Sequence, residues 1–316
     1  MSFEQQVMKP LRRSLPHIRS PSKAGAFELL EERGRPVLVL RTDQETLAGG
    51  LQTDQVAGPF FLACFGFWYE HLTGRDPALR VEVAGPSWDL GPNQRRSWIA
   101  LEALQQSLGD RLEIRGWPAR VWPRAPVLNH SDLDRDGLKP GAGREARAEA
   151  QLCDERRHAG PLGLDRFYRQ LPLGLFDGRV AEDSAWTPGK GARADLWGVG
   201  LDGAFHLFEL KVGDRPKVGV LPELFAYAWI LAMVRGGEVL AQGPAVDALR
   251  AAPRLNAWTL APRLHPLLHS HGRSPLSWLA RGLKGTVELG ALFFEEQAGP
   301  RPFKAWLPER TWRPQG

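Results

Sequence analysis

The sequence predicts an α/β protein in two parts, on three observations. Short apolar runs rich in β-branched and aromatic residues alternate with longer segments whose apolar positions recur every three to four residues. A polar, turn-rich stretch at 129–143 (NHSDLDRDGLKPGAG) interrupts that alternation. The 316 residues are 43% apolar and 24% charged, which supports a buried core and argues against disorder. The expected layout is a smaller α/β accessory domain at 1–130, a linker at 131–143 and a larger α/β domain at 144–316.

In the first part, 1–25 reads as a short helix and then a loop. Runs at 27–32 and 37–41 flank Arg33-Gly34 and read as a hairpin. The aromatic-rich segment 59–72 (PFFLACFGFWYEHL) reads as a buried helix. A strand is expected at 79–83. Helical spacing of Trp98, Ile99, Leu101, Leu104 and Leu108 sets a helix over 94–108. Short strands are expected at 111–115 and 120–122. In the second part, helices are expected at 144–158 and 164–171, and strands at 193–199 and 204–212 around Leu201-Asp202-Gly203. A helix follows at 221–235, with Pro222 in its first turn. Strands at 255–260 and 286–295 enclose a helix at 275–283.

Composition excludes several classes. The net charge of +5 is spread evenly, with 16 basic and 14 acidic residues in 1–130, so no basic tail marks a partner. The most apolar window, 221–234, is too short to span a bilayer and contains Pro222 and Glu223; no membrane partner is expected. The first 22 residues lack the apolar stretch of a signal peptide. Cys64 and Cys153 cannot build a disulfide framework or a four-thiolate zinc site, so a cytoplasmic setting is expected. No Walker loop or Gly-x-Ser-x-Gly elbow is present.

The chemistry concentrates in 193–212. Side chains alternate along a strand, so Phe208, Leu210 and Val212 point one way while Glu209 and Lys211 point the other. Two ionisable groups in so apolar a strand need compensation by each other, a metal or water. Asp195, in the preceding apolar strand, is the candidate partner, and register decides whether it meets Glu209. A two-residue Asp202-Gly203 turn sets Asp195 opposite Leu210, on the wrong face. A three-residue loop with Gly203 left-handed pairs Gly200 with Ala204 and sets Asp195 opposite Glu209. Two carboxylates and a backbone carbonyl, that of Leu210, can hold Mg²⁺ by oxygen, with Mn²⁺ as a substitute. A lysine beside them can orient or help deprotonate water, or stabilise a pentacovalent phosphorane. Of eight lysines only Lys211 follows an acid at two residues' distance.

Asp195, thirteen residues, then Glu209-Leu210-Lys211 resembles the PD-(D/E)XK superfamily of nucleases. The resemblance covers roughly the C-terminal half. It implies a restriction-endonuclease-like mixed sheet flanked by helices, with Asp195 and Glu209 as metal ligands and Lys211 as the catalytic lysine. It also implies a glutamate on the first helix, Glu149, with Glu145 as its rival. Some members carry Gln-x-x-x-Tyr on the following helix; here Glu223 replaces the glutamine and Tyr227 matches. Ala194 stands where a proline usually precedes the aspartate. Lys190, Arg193, Arg215, Lys217 and Tyr227 are expected nucleic-acid contacts, with DNA the expected substrate. The alternative is an inactive relative serving as a nucleic-acid or protein binding module, in a defence or mobile-element assembly, with 1–130 recruiting a partner. A homodimer is compatible with either.

Two further motifs are weaker. Asp132-Leu-Asp-Arg-Asp136-Gly137 matches half of a calcium loop, but Gly143 stands where a bidentate glutamate is needed, so an acidic linker is expected. His265, His269 and His271 lack a further ligand at zinc spacing and read as loop histidines. The twelve tryptophans are scattered and are expected in packing.

Overall fold

The structure is a computed structural model that describes residues 2–15, 18, 21, 23–51, 53, 55–85, 90–116, 122–129, 143–188, 192–213, 217–270, 273–280, 283, 286–299 and 301–307. It divides into two compact units. The first comprises Met1–Val121, Lys217–Pro222 and Leu264–Leu283; the second comprises Trp122–Pro216, Glu223–Arg263 and Lys284–Gly316. This differs from the contiguous domains 1–130 and 144–316 expected from composition. Composition follows the chain, whereas compactness follows contacts, and a one-turn helix at Leu276–Leu279 packs against a helix of the first unit. Of the expected linker only Gly143 lies within the described residues.

The first unit opens with a π-helical turn, Glu4–Met8, running into α1 (Lys9–Ser14). Strands β1 (Ala26–Glu32) and β2 (Arg35–Asp43) form the expected hairpin. Arg33 and Gly34 both take positive φ, 52° and 77°, as a tight two-residue connection requires. Helix α2 (Gly58–Thr73) lies against β2 and β3 (Ala78–Ala84), with Pro59 in its first turn and left-handed Gly74 at its end. Gly66 brings α2 close to Leu79, where a Cβ would lie 2.7 Å from its side chain. Helix α3 (Pro92–Leu108) leads to β4 (Leu112–Arg115). The sheet order is β1-β2-β3-β4, with β2, β3 and β4 parallel. Of the strand expected at 120–122, Trp122 has no strand structure and 120–121 lie outside the described residues.

The second unit carries a two-stranded pair, β5 (Pro126–Leu128) with β7 (Leu175–Asp177), and a six-stranded mixed sheet. Helix α4 (Arg144–Asp154) precedes β6 (Tyr168–Pro172), β8 (Arg193–Val199) and β9 (Phe205–Leu210), an antiparallel meander. Helices α5 (Val220–Arg235) and α6 (Pro244–Ala251) lead to β10 (Leu255–Ala261), parallel to β9. Strands β11 (Glu288–Glu296) and β12 (Phe303–Trp306) complete the order β12-β11-β10-β9-β8-β6. Ala148 and Leu152 of α4 join Leu196, Phe208, Leu210, Leu260 and Phe294 in one core.

Several elements differ from expectation. The segment 164–171 is not a helix. Its apolar positions 164, 167, 168 and 171 mimic helical spacing, but Leu164 bridges to Gly200 and Tyr168–Pro172 pairs with β8. Helix 275–283 shortens to Leu276–Leu279, helix 144–158 ends at Asp154 before a 3₁₀ turn, and α6 and β12 were not expected. Among the described residues, no helix is long and apolar enough to cross a membrane.

Candidate active site

The β8–β9 connection has the three-residue register. Gly200 N–H donates to the Ala204 carbonyl at 2.8 Å, Gly203 has φ 79°, and Leu196 pairs with Phe208. One step further along that register, Asp195 stands opposite Glu209. The strands part there, and the Asp195 carboxylate takes over the ladder: Leu210 N–H donates to its Oδ2 at 2.8 Å. Leu210 thus faces Asp195 through its main chain while its side chain enters the core.

Lys211 ties the cluster together. Its Nζ lies 2.6 Å from Glu209 Oε1, 3.1 Å from Glu145 Oε1, 3.6 Å from Glu223 Oε2 and 3.9 Å from Asp195 Oδ2. Four elements therefore converge: α4 supplies Glu145, β8 Asp195, the end of β9 Glu209 and Lys211, and α5 Glu223. Glu149, one turn after Glu145, is turned to β6. Its Oε2 accepts from Gln170 Nε2 at 2.7 Å and from Arg169 at 3.4 Å. Gln170 lies opposite Asp195 in the β6–β8 register and has φ 54°, a conformation few side-chain-bearing residues adopt.

Burial sets the electrostatics. It pushes the Asp195 carboxyl up to about 7, opposed by Lys211 and reinforced by Glu149 and Glu145. It raises Glu209 well above the carboxylate range, with Asp195 and Glu223 adding to the effect. Glu149 is raised too, by burial first. Burial works against the Lys211 charge, but Glu209, Asp195, Glu223 and Glu145 outweigh it and hold its pKa well above the usual lysine value. The ammonium is the cation that this carboxylate cluster retains.

The donor set fits a hard divalent cation: it is all oxygen, and the buried Glu209 and Glu223 carboxyls face each other, with no other residue among those described donating to their Oε2 atoms. Thr259, beside Glu209 in the parallel β9–β10 register, has a buried Oγ1 lacking a hydrogen-bond partner among the described residues. No group of three or more His, Cys, Asp or Glu side chains among the described residues has its donors drawn together as a cage, because Lys211 lies between them.

The structure thus gathers Asp195, Glu209, Lys211 and Leu210, and places Glu149 behind them. Tyr227 is a correction: it is among the largest fully buried side chains and offers no surface to a polymer. Arg193 is half-buried on β8 beside Pro172, and Lys217 is exposed and belongs to the first unit. Lys190, Arg215, His271 and the acidic run 132–136 lie outside the described residues. His265 Nδ1 accepts from Leu267 N–H, a loop role. Sequence reading left Arg169, Gln170, Glu223 and Thr259 out of the site. Glu223 had a legible signal, a lone acid in an otherwise apolar helix. Gln170 was hidden by the helix assigned to its segment.

Compared with known proteins, the chain matches no family model, no curated protein and no solved structure.

Proposed function

We propose that the second unit hydrolyses phosphodiester bonds in nucleic acid, DNA in the first instance, with Mg²⁺ or Mn²⁺ held by Asp195, Glu209 and the Leu210 carbonyl. The observation that carries this reading is the placement of Asp195 opposite Glu209 with the Lys211 ammonium bonded into the same carboxylate cluster. The element order adds support: a helix, an antiparallel three-strand meander, a helix and a parallel strand is the order expected of a restriction-endonuclease-like core, and it is found here with one additional helix, α6, before the parallel strand.

When bound, the metal would supply hydroxide near neutral pH and offset charge on the phosphate. The chain's own groups prepare for this. Leu210 N–H fixes the rotation of the Asp195 carboxylate. Lys211, held protonated by the four acids around it, is placed to donate a hydrogen bond to a phosphate oxygen or to orient the attacking water. Glu145 and Glu223 hold that ammonium in place, and Arg169 and Gln170 hold Glu149. A second reading, a binding module with an idle site, is favoured by one observation: the ammonium already meets part of the carboxylates' charge.

The test uses purified full-length protein with Mg²⁺ or Mn²⁺ and end-labelled duplex, circular, single-stranded and RNA substrates. Cleavage that falls about a hundredfold or more in Glu209→Gln is the expected result. Intact substrates throughout, with a folded protein, would turn the assignment to the binding module.

A further inference from the structure

A second constellation lies on the opposite face of the same sheet. Along β9, Glu209 projects to one side and His206 and Phe208 to the other. On that second face, where β9, β10 and β11 begin, is a cavity of about 330 Å³. That is the lower end of the roughly 300–1,000 Å³ of small-molecule sites.

Part of its lining is a flat aromatic surface. Trp258 Nε1–H donates to His206 Nδ1 at 3.0 Å, and the two rings lie 8° from parallel with centroids 6.2 Å apart. An in-plane hydrogen bond at that separation sets the rings edge to edge in one plane. Phe208, buried in the core, lies behind this pair with its ring 13° from the imidazole. Gly290 makes this possible: it pairs with Trp258, and a Cβ there would come within 2.1 Å of the indole.

The polar groups follow from that hydrogen bond. An indole N–H only donates, so His206 Nδ1 accepts and the imidazole proton sits on Nε2. The Asn256 amide lies 3.5 Å from Nε2, and its carbonyl end is the one that suits a donor. The other amide atom is left without a hydrogen-bond partner in a side chain only 5% exposed. Glu288 also lines the cavity and makes no hydrogen bond or ion pair with the described residues.

We propose that this cavity binds a guanine-type nucleobase, presented by a free nucleotide or by an unstacked position in single-stranded nucleic acid. A planar ring stacks on the His206–Trp258 surface, as bases do on aromatic side chains. Guanine offers adjacent N–H donors on one edge, which a carboxylate such as Glu288 accepts two at a time. Arg254 lies on the same rim, tied to Asp202 by an exposed ion pair that holds it only weakly against a phosphate. The site shares no residue with the carboxylate cluster, so it stands or falls independently of the hydrolytic reading.

The experiment is calorimetric titration of the full-length protein in EDTA with guanosine, GMP, adenosine, cytidine and a guanine-containing single-stranded oligodeoxynucleotide. Saturable binding of guanosine, at least about tenfold tighter than adenosine, is expected. Glu288→Gln, an exposed position, should erase the preference for guanine. Trp258→Leu should weaken every base about tenfold. Gly290→Ala, which lifts the indole into the cavity, should do the same if folding of the leucine variant fails by circular dichroism. GMP without the strand identifies a free nucleotide, and the strand without GMP identifies nucleic acid. No saturable binding of any guanine ligand at millimolar concentration, or affinity indifferent to base and to Glu288→Gln, would overturn the proposal.

Discussion

The two units use the same charged residue types to opposite ends. On one face of the first unit's sheet, Arg41 pairs with Glu28 at 2.6 Å and Glu82 at 2.8 Å, and Arg80 with Glu32 at 2.7 Å and Glu113 at 2.8 Å. Acids and arginines alternate across β1, β2, β3 and β4, each close to a partner on a neighbouring strand. Glu32 and Glu113 accordingly fall below the ordinary carboxylate range, Glu32 through its hydrogen bond from Arg80 and Glu113 through those from Arg115 and Arg80. In the second unit Glu145, Asp195, Glu209 and Glu223 surround one lysine, with Glu149 close behind, and burial drives Asp195, Glu209 and Glu149 upward. The first arrangement lowers the energy of the fold and asks for nothing further. The second keeps an unmet demand for positive charge, and on that demand the proposed handling of a cation and a phosphate rests.

The largest effect that can break this contrast comes from the lysine. In metal-free protein at pH 8, Lys211→Met leaves the acids without their ammonium and should cost about 3–5 kcal/mol of stability. Glu209→Gln removes one of the repelling acids and should raise stability by about 1–2 kcal/mol at the same pH, although it should abolish the proposed cleavage. Both shifts should shrink toward pH 4, where the raised carboxyls are protonated. Chemical denaturation with EDTA measures both. Loss of stability in both variants, of similar size, would mean that the cluster is an ordinary structural salt bridge like those of the first unit.

The same contrast explains what the sequence disclosed. The carboxylate site was legible because burying Glu209 and Lys211 in the strand AFHLFELKV has no cheap explanation, and because turn chemistry at Leu201-Asp202-Gly203 offered a register that brings Asp195 opposite. The arginine ladder was readable only as strands, since its alternation of charge and apolar residues is what any half-exposed sheet shows. Gln170 escaped because its segment carries helical spacing by coincidence and its positive φ has no sequence signature in a glutamine. The unit boundary escaped because Leu264–Leu283 joins the first unit by contacts distant in sequence, which local composition does not encode. Glu223 was read only as a departure from glutamine in the Gln-x-x-x-Tyr pattern, although a lone acid in an apolar helix raises the same question of compensation as Glu209 in its strand.

Metal response sharpens the contrast at intermediate size. Asp195 titrates near 7 in the folded protein against an ordinary aspartate value of 3.8. The folded state therefore holds the proton more tightly, so this group's contribution to stability is full below about pH 4 and is lost as pH rises through 7. A divalent cation needs the carboxylate, so its stabilising effect should run the other way and grow across pH 6–8. Thermal melts with EDTA and with Mg²⁺ or Mn²⁺ at each pH give the difference. A metal-induced rise in Tm that is constant from pH 5.5 to 8.5 would remove the link between Asp195 and the cation.

The smallest expected effect lies in the first unit and is the control for the others. Arg80 is nearly buried, but the carboxylates of Glu32 and Glu113 are 43% and 48% exposed and can turn to water when their partner is removed. Arg80→Met keeps most of the apolar stem that packs on the sheet and loses two screened ion pairs, so the cost should be about 1–2 kcal/mol. Because Glu32 and Glu113 are depressed in the native state, that loss should be present at pH 7 and fade only in strong acid, whereas the Lys211→Met cost, which depends on carboxyls held above their range, should already fade at higher pH. Cleavage and the pH at which metal begins to stabilise the protein should not move. A shift in either would show that the ladder and the carboxylate cluster are energetically linked, and the division between a charge-satisfied unit and a charge-demanding one would have to be given up.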